Sequence, residues 1–255
     1  MFDRITADLV SVLLASLRLG PVFTFAPPFT LIPIPGMVRV VLVVALAAAM
    51  INLRPGLADE QVRLPGFAIA ALGELSLGIA MALALQLAFS AIAFAGRALD
   101  IQAGFGLAFL IDPTTKAQTP LIGAIFTYAT AAIFFATSAP YDLLAVLARS
   151  FDQVPLGMAL APQKIGGVLS YFGTVSILAF GLVGMAILVL FLIDLVIAMM
   201  SRTLPQMNVL VLGFQVKSIV TLLLLPAIIG FAGAGIMRII RLAIEAMPVI
   251  ALGAG

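Results

Sequence analysis

Between two charge-free runs, Leu75–Gly96 and Ala117–Tyr141, lies a stretch that no simple membrane helix accommodates. This stretch, Gly96–Pro120, reads GRALDIQAGFGLAFLIDPTTKAQTP; it carries Arg97, Asp100, Asp112 and Lys116, the glycines Gly96, Gly104 and Gly106, and the prolines Pro113 and Pro120. Its middle, Ala103–Ile111, is apolar but only nine residues long, whereas a helix needs about 20 residues to cross a bilayer. Exposed to lipid, its free backbone groups would each cost several kcal/mol. The loop must therefore be covered by protein or line a cavity. Any functional reading has to explain an apolar, glycine-hinged loop held inside something.

Composition sets the class. Of the 255 residues, 64% are hydrophobic and 9% charged, against about 25% charged in a soluble domain, and the mean hydropathy is +1.27. The chain is read as an all-α integral membrane protein. A net charge of +2 without a Lys/Arg cluster leaves no electrostatic footprint for nucleic acid. Cysteine and histidine are absent, which excludes disulfides, thiol nucleophiles, cysteine or histidine metal ligands, haem ligation and imidazole acid–base chemistry. No cofactor or metal is expected. Tryptophan is also absent, and Tyr128, Tyr141 and Tyr171 are the only tyrosines, so the usual aromatic belt at headgroup depth is thin.

About six long hydrophobic segments follow from the pattern. Thr6–Leu19 opens a first helix that runs into Pro21, Pro27, Pro28, Pro33 and Pro35, and Gly36–Asn52 gives a second. Gly66–Ala98 is the third and Leu121–Ala139 the fourth, with Asp142–Phe151 a short amphipathic helix before Pro155. The fifth, Ile165–Met200, begins with 29 residues free of charge; it is longer than one crossing needs, so it tilts, kinks at Gly181 or Gly184, or projects beyond the bilayer. Val209–Gly235 is the sixth, and Arg238–Met247 a separate closing amphipathic helix stopped by Pro248. Lys and Arg divide seven to five between the two sets of loops, favouring cytoplasmic termini by the positive-inside rule.

Ionisable residues inside apolar segments are candidates for function, because each costs about 2.5–3.5 kcal/mol or more in lipid. Arg18, Glu74, Asp194 and the Arg97/Asp100 pair stand out. Arg97 and Asp100, three apart on a helix, are close enough to neutralise each other locally. Glu74 and Asp194 read either as helix-end carboxylates near the interface or as contacts to a polar partner on a neighbouring subunit. An enzyme is hard to build from this inventory. An intramembrane aspartyl protease wants Tyr-Asp and a later Gly-x-Gly-Asp; Tyr141-Asp142 and Gly104-Phe105-Gly106 are present, but Leu107 stands where the second Asp belongs and the order is reversed. A small secondary transporter, with interrupted helices and ion-coupled carboxylates at Asp100 and Asp112, is the alternative. Against it, no second interrupted pair occupies a matching half of the chain.

Several patterns in order then resemble the FliR/SctT family of type III secretion export-gate proteins. Asp194-Leu195 is followed by Ser201-Arg202-Thr203-Leu204-Pro205-Gln206-Met207-Asn208-Val209 and by Gly213-Phe214-Gln215-Val216-Lys217. The Arg-x-x-Pro-Gln-Met-Asn-Val core with a lysine downstream is the most specific part. Asp100-Ile101-Gln102-Ala103-Gly104-Phe105 and Asp112-Pro113 match as well, as do Arg18 with Pro27, Pro33 and Arg39, Glu74 with Gly78, and Arg149-Ser150-Phe151 with Pro155-Leu156-Gly157. The Gly-Phe before Gln215 looks more like the flagellar than the virulence branch.

The resemblance implies a subunit of the flagellar export gate in the bacterial inner membrane, at the flagellar basal body. Its implied partners are FliP-like and FliQ-like gate subunits, an FlhB-like protein, exported unfolded protein substrates and membrane lipid. The family is built as a FliP-like part joined to a FliQ-like hairpin, here about residues 1–164 and 165–255, as one export-gate membrane domain within a helical hetero-oligomer. The central loop would then be the pore plug, with Phe105, Leu107, Phe109, Leu110, Ile111 and Asp112 in its path and Gly104 and Gly106 as hinges. Arg18, Glu74, Arg97, Asp100, Asp194, Arg202, Gln206, Asn208 and Lys217 would be polar fixings and subunit contacts.

Overall fold

The computed structural model describes residues 2–53, 66–105, 109–111, 118–158, 165–203 and 209–252. Among these described residues it is all-α apart from two three-residue strands. In chain order the helices are α1 (Phe2–Phe25), α2 (Gly36–Leu53), α3 (Phe67–Ala103), α4 (Leu121–Ala136), α5 (Ala139–Gln153), α6 (Ile165–Thr203) and α7 (Val209–Leu252), with a 3-10 turn at Phe29–Leu31. The strands, β1 (Phe109–Ile111) and β2 (Gln118–Pro120), lie between α3 and α4. Among the described residues, five helices, α1, α2, α3, α6 and α7, are long and apolar enough to cross a membrane, and α4 with α5 forms a sixth candidate bent by 75°. The chain is an all-α membrane protein.

The chain packs as two compact units, residues 1–87 with 134–171 and 240–255, and residues 88–133 with 172–239. In the first, α1 and α2 pack on each other, and Arg39 on α2 donates to the carbonyls of Thr24 (3.3 Å) and Ile32 (3.1 Å), pinning the proline-rich turn. Its core is built from Leu14, Leu19, Leu77, Met81, Leu85, Leu143, Leu147 and Ile244, all at most 5% exposed. Phe23, Phe29, Phe134 and Phe135 add an aromatic cluster in tilted and edge-on contact, the geometry that ring quadrupoles favour. The second unit holds the later part of α3, most of α4, and the bulk of α6 and α7.

Three boundaries differ from the sequence reading. The first helix does not stop at Leu19 but passes through Pro21 to Phe25. Pro21 removes the N–H that Leu17 would otherwise receive; at this point Gly78 of α3 brings its backbone against α1, where an added Cβ would lie 3.0 Å from the Leu17 carbonyl oxygen and 2.9 Å from Pro21 Cγ. The third helix runs five residues past Ala98, so Arg97, Asp100 and Gln102 belong to its last turns. Most consequentially, Val209–Leu252 is one 44-residue helix. The glycines at 230, 233 and 235 cost it about 1 kcal/mol each at most. The buried series Ile236, Ile239, Ile240, Ala243, Ile244, Met247, Ile250 and Ala251 continues at helical spacing straight through Pro248. Burial on both sides of the proline outweighs its missing bond, while Arg238, Arg241 and Glu245 stay on the exposed side.

With 39 and 44 residues, α6 and α7 extend roughly 58 and 66 Å at 1.5 Å per residue, about twice the ~30 Å hydrocarbon core. The excess length of the fifth segment is taken up by an uninterrupted helix.

Candidate functional site

The loop that constrains the sequence is, in its described backbone, a short hairpin. Strands β1 and β2 pair antiparallel, with Phe109 opposite Pro120, Leu110 opposite Thr119 and Ile111 opposite Gln118. At these positions each strand supplies the other with backbone partners. The hairpin leaves from the C-terminus of α3 and returns directly into the N-terminus of α4, so its two roots sit on two helix ends.

The return root is fixed by Asp100. Its buried carboxylate accepts from the backbone N–H of Ile122 at both oxygens (3.0 and 3.1 Å) and from that of Gly123 at 3.1 Å. These are two of the four N–H groups that a helix start leaves without internal partners, and the positive end of the α4 dipole faces the carboxylate. Asp100 thus caps α4 from α3, while Arg97, the expected local partner, is exposed. The approach is close because Gly96 faces Gly123: a Cβ on Gly96 would fall 2.7 Å from the Gly123 Cα.

The outgoing root is fixed by different groups. Gly104, which ends α3, has φ +83, in the region that glycine enters at no steric cost. The Phe214 ring of α7 lies over it, so that a Cβ on Gly104 would be 2.9 Å from Cε2 and 3.0 Å from Cδ2. Two residues before it, Gln102 Nε2 donates to Asp194 Oδ2 on α6 at 3.0 Å. The other Asp194 oxygen is ion-paired with Lys217 Nζ on α7. One carboxylate therefore ties three helices together next to the point where the hairpin leaves α3.

A second polar cluster sits in the first unit. Arg18, with 0% of its side chain exposed, forms a two-pronged pair with Glu74, 1% exposed: Nε donates to Oε2 at 2.5 Å and Nη2 to Oε1 at 2.9 Å. Nη1 donates to the carbonyls of Ser150 and Val154, both at 2.9 Å, and the guanidinium carbon lies 4.4 Å from the centre of the Phe151 ring. Glu74 Oε1 also accepts from Gly157 N–H at 3.0 Å. Four of the five N–H groups of a guanidinium are used, joining α1, α3, the end of α5 and the turn after it. The short patterns around Arg18, Glu74, Ser150-Phe151 and Gly157, scattered in sequence, meet at one point.

Of the other residues singled out by sequence, Arg202 lies exposed in the last turn of α6. Gly106, Leu107, Asp112, Gln206 and Asn208 lie outside the described residues; Phe105 follows the hinge and is half-buried. Gln102, Phe214 and Gly123 went unassigned in the sequence. Gln102 stands two residues after Asp100, and Phe214 one helical turn before Lys217 on the same side; those spacings were the available signal. Among the described residues, no group of three or more His, Cys, Asp or Glu is placed to hold a metal.

The family model described as bacterial export proteins, family 1, matches residues 9–243. The chain belongs to that family. Its relatives include the flagellar biosynthetic protein FliR of Bacillus subtilis, 29% identical over 243 residues, which are 92% of each chain. The flagellar biosynthetic protein FliR of Aquifex aeolicus is 29% identical over 233 residues, 88% of this chain and 87% of that one. The Yop proteins translocation protein T of Yersinia pestis is 30% identical over 155 residues, 60% of this chain and 59% of that one. The resemblance to the FliR/SctT family read from the motifs is borne out, and the chain is a membrane component of type III protein export.

Proposed function

We propose that this chain is a non-enzymatic subunit of the flagellar export gate in the bacterial inner membrane, at the flagellar basal body. There it helps to form, and with its α3–α4 hairpin to plug, the pore through which unfolded flagellar proteins cross. FliP-like and FliQ-like subunits and an FlhB-like protein are its partners. Residues 1–164 form the FliP-like part, and α6 with α7 the FliQ-like hairpin.

The observation that carries the plug is the hairpin itself. An apolar segment too short to span, Ala103–Ile111, follows the bend at Gly104 and ends in β1, whose partner β2 runs into the Asp100-capped start of α4. An apolar segment across a narrow pore excludes water and therefore ions, and a glycine at its root lets it swing aside. The polar fixings divide accordingly: Arg18 and Glu74 hold the body of the subunit, Asp100, Asp194 and Lys217 hold the roots, and Arg97, Arg202, Gln206 and Asn208 serve contacts within the assembly.

The ion-coupled transporter has lost ground. Asp100, one of its two carboxylates, is engaged by backbone N–H groups of α4, and the family is one of protein export. Asp112→Asn separates the two: a plug tolerates it with an altered leak, while an ion relay loses transport completely with the complex intact. The direct test of the plug is deletion of about six residues within Phe105–Ile111. Each buried Leu, Ile or Phe contributes ~1.5–3 kcal/mol, so the closed state should lose its advantage, and cells carrying the assembled complex should leak ions and small solutes while still exporting. A tight membrane with the complex fully assembled rejects the plug; loss of the complex assigns the loop to packing instead.

A further inference from the structure

The two roots of the hairpin are held in different ways, and only one of them reaches beyond the helices that the hairpin joins. The return root is capped by Asp100 of α3, the hairpin's own neighbour in sequence. The outgoing root is held from α6 and α7, about a hundred residues later: Gln102 by Asp194, Gly104 by the Phe214 ring, and Asp194 by Lys217. Phe214 and Lys217 are three residues apart on α7 and therefore share a face. A small rotation or slide of α7 displaces both together.

From this we infer that Gln102, Gly104, Asp194, Phe214 and Lys217 form a latch through which the α6–α7 hairpin sets the position of the loop. The inference rests on the plug reading for its consequence, though not for its geometry. Its parts have matched properties. Gly104 is the residue from which the hairpin departs, and its positive φ is a conformation that other residues adopt at a cost. Phe214 covers that residue at van der Waals distance while 48% of its own surface stays exposed, so the ring is free on its far side. Asp194 and Lys217 are charged residues within otherwise apolar helices, and separating them in a membrane is costly. Asp194 is 40% and Lys217 19% exposed, which leaves the pair reachable by neighbouring groups. Latched, the root is pinned by an amide–carboxylate hydrogen bond and a ring contact. Released by movement of α7, it loses the ring contact, and Asp194 loses its ammonium partner, so that the root keeps only the bend at Gly104 and the Gln102–Asp194 hydrogen bond. Movement of the hairpin helices within an assembly would thus be transmitted to the loop through its root.

The chain contains no cysteine, so a single Leu110→Cys substitution makes a unique reporter in the full chain, assembled with its native partners. The rate of its modification by a membrane-impermeant maleimide reads the position of the loop. Phe214→Ala should raise that rate by roughly fivefold or more and produce an ion leak, with the complex recovered in normal amount. Gln102→Leu, which removes the hydrogen bond but keeps α3 apolar and similar in volume, should raise it in the same direction. It carries the test should Phe214→Ala fail to assemble. Wild-type labelling in both variants overturns the latch, even where deleting the loop opens the membrane. Faster labelling in the variants, together with a loop deletion that leaves the membrane tight, keeps the latch and removes the plug.

Discussion

The two charged clusters of this chain use similar chemistry to opposite ends. Around Arg18, a guanidinium and a carboxylate are both fully buried, paired twice, and surrounded by two carbonyls, one further N–H and an aromatic ring. Around Asp194, one carboxylate shares its oxygens between an amide and an ammonium, and the ion pair is part-exposed on both sides. A buried pair held by five hydrogen bonds has one arrangement of acceptable energy, because any alternative strands a charge. A part-exposed pair with few contacts has several. The first arrangement suits a joint that must not move and the second a joint that must.

That contrast predicts unequal costs of breakage. Arg18→Leu removes one partner of a buried pair, leaving Glu74 a buried charge without its counter-ion and the Val154 carbonyl without its Arg18 donor, so it should cost about 3–5 kcal/mol. The purified protein should show a large drop in thermal stability and little complex should be recovered. Arg18→Lys should rescue only part of this, since an ammonium cannot reproduce the forked geometry. Gly96→Ala comes next, because its methyl would meet the Gly123 backbone. Forcing α3 and α4 apart should cost about 1–3 kcal/mol, seen as reduced thermal stability together with exposure of the α4 N-terminus to hydrogen exchange. Asp194→Asn should lower stability by only about 1 kcal/mol while changing the leak, so its effect on permeability should exceed its effect on melting. Should Asp194→Asn destabilise as much as Arg18→Leu, the distinction between fixed and movable joints disappears. Smallest of all within the chain itself is Arg202→Leu, at an exposed position in the last turn of α6. Its melting should be unchanged and its loss should appear only as reduced recovery of the complex; wild-type recovery and export would remove Arg202 from the subunit contacts.

The contrast was only partly legible in the sequence. Arg18 and Glu74 announce themselves, since a charge in an apolar helix demands a partner, but nothing in their spacing says that they are each other's. Pairing across 56 residues is decided by how helices pack, a tertiary property. The Arg97/Asp100 spacing suggested a local pair, yet the start of α4 offers unpaired N–H groups, and a helix terminus is the stronger claim on a buried carboxylate. Pro21 and Pro248 were misleading for one reason. Proline is a strong local signal, but a buried face that continues on both sides of it decides the matter, as Val22 and Phe23 do for α1 and Ile250 and Ala251 for α7. The loop was legible as an anomaly of length and polarity, and its glycine at 104 as a hinge. Its second constraint, the Phe214 ring, comes from a residue 110 positions away and left no mark at Gly104 itself.

The central claim is that the α3–α4 hairpin seals a pore whose walls are held independently of it. The most direct measurement is the conductance of the purified, fully assembled complex in a planar bilayer, with the wild-type chain and with about six residues removed from Phe105–Ile111. The account predicts a closed wild-type complex and a steady ion conductance from the shortened one, with melting behaviour close to wild type because the Arg18–Glu74 joint is untouched. A shortened complex that is assembled, stable and as tight as wild type would contradict it.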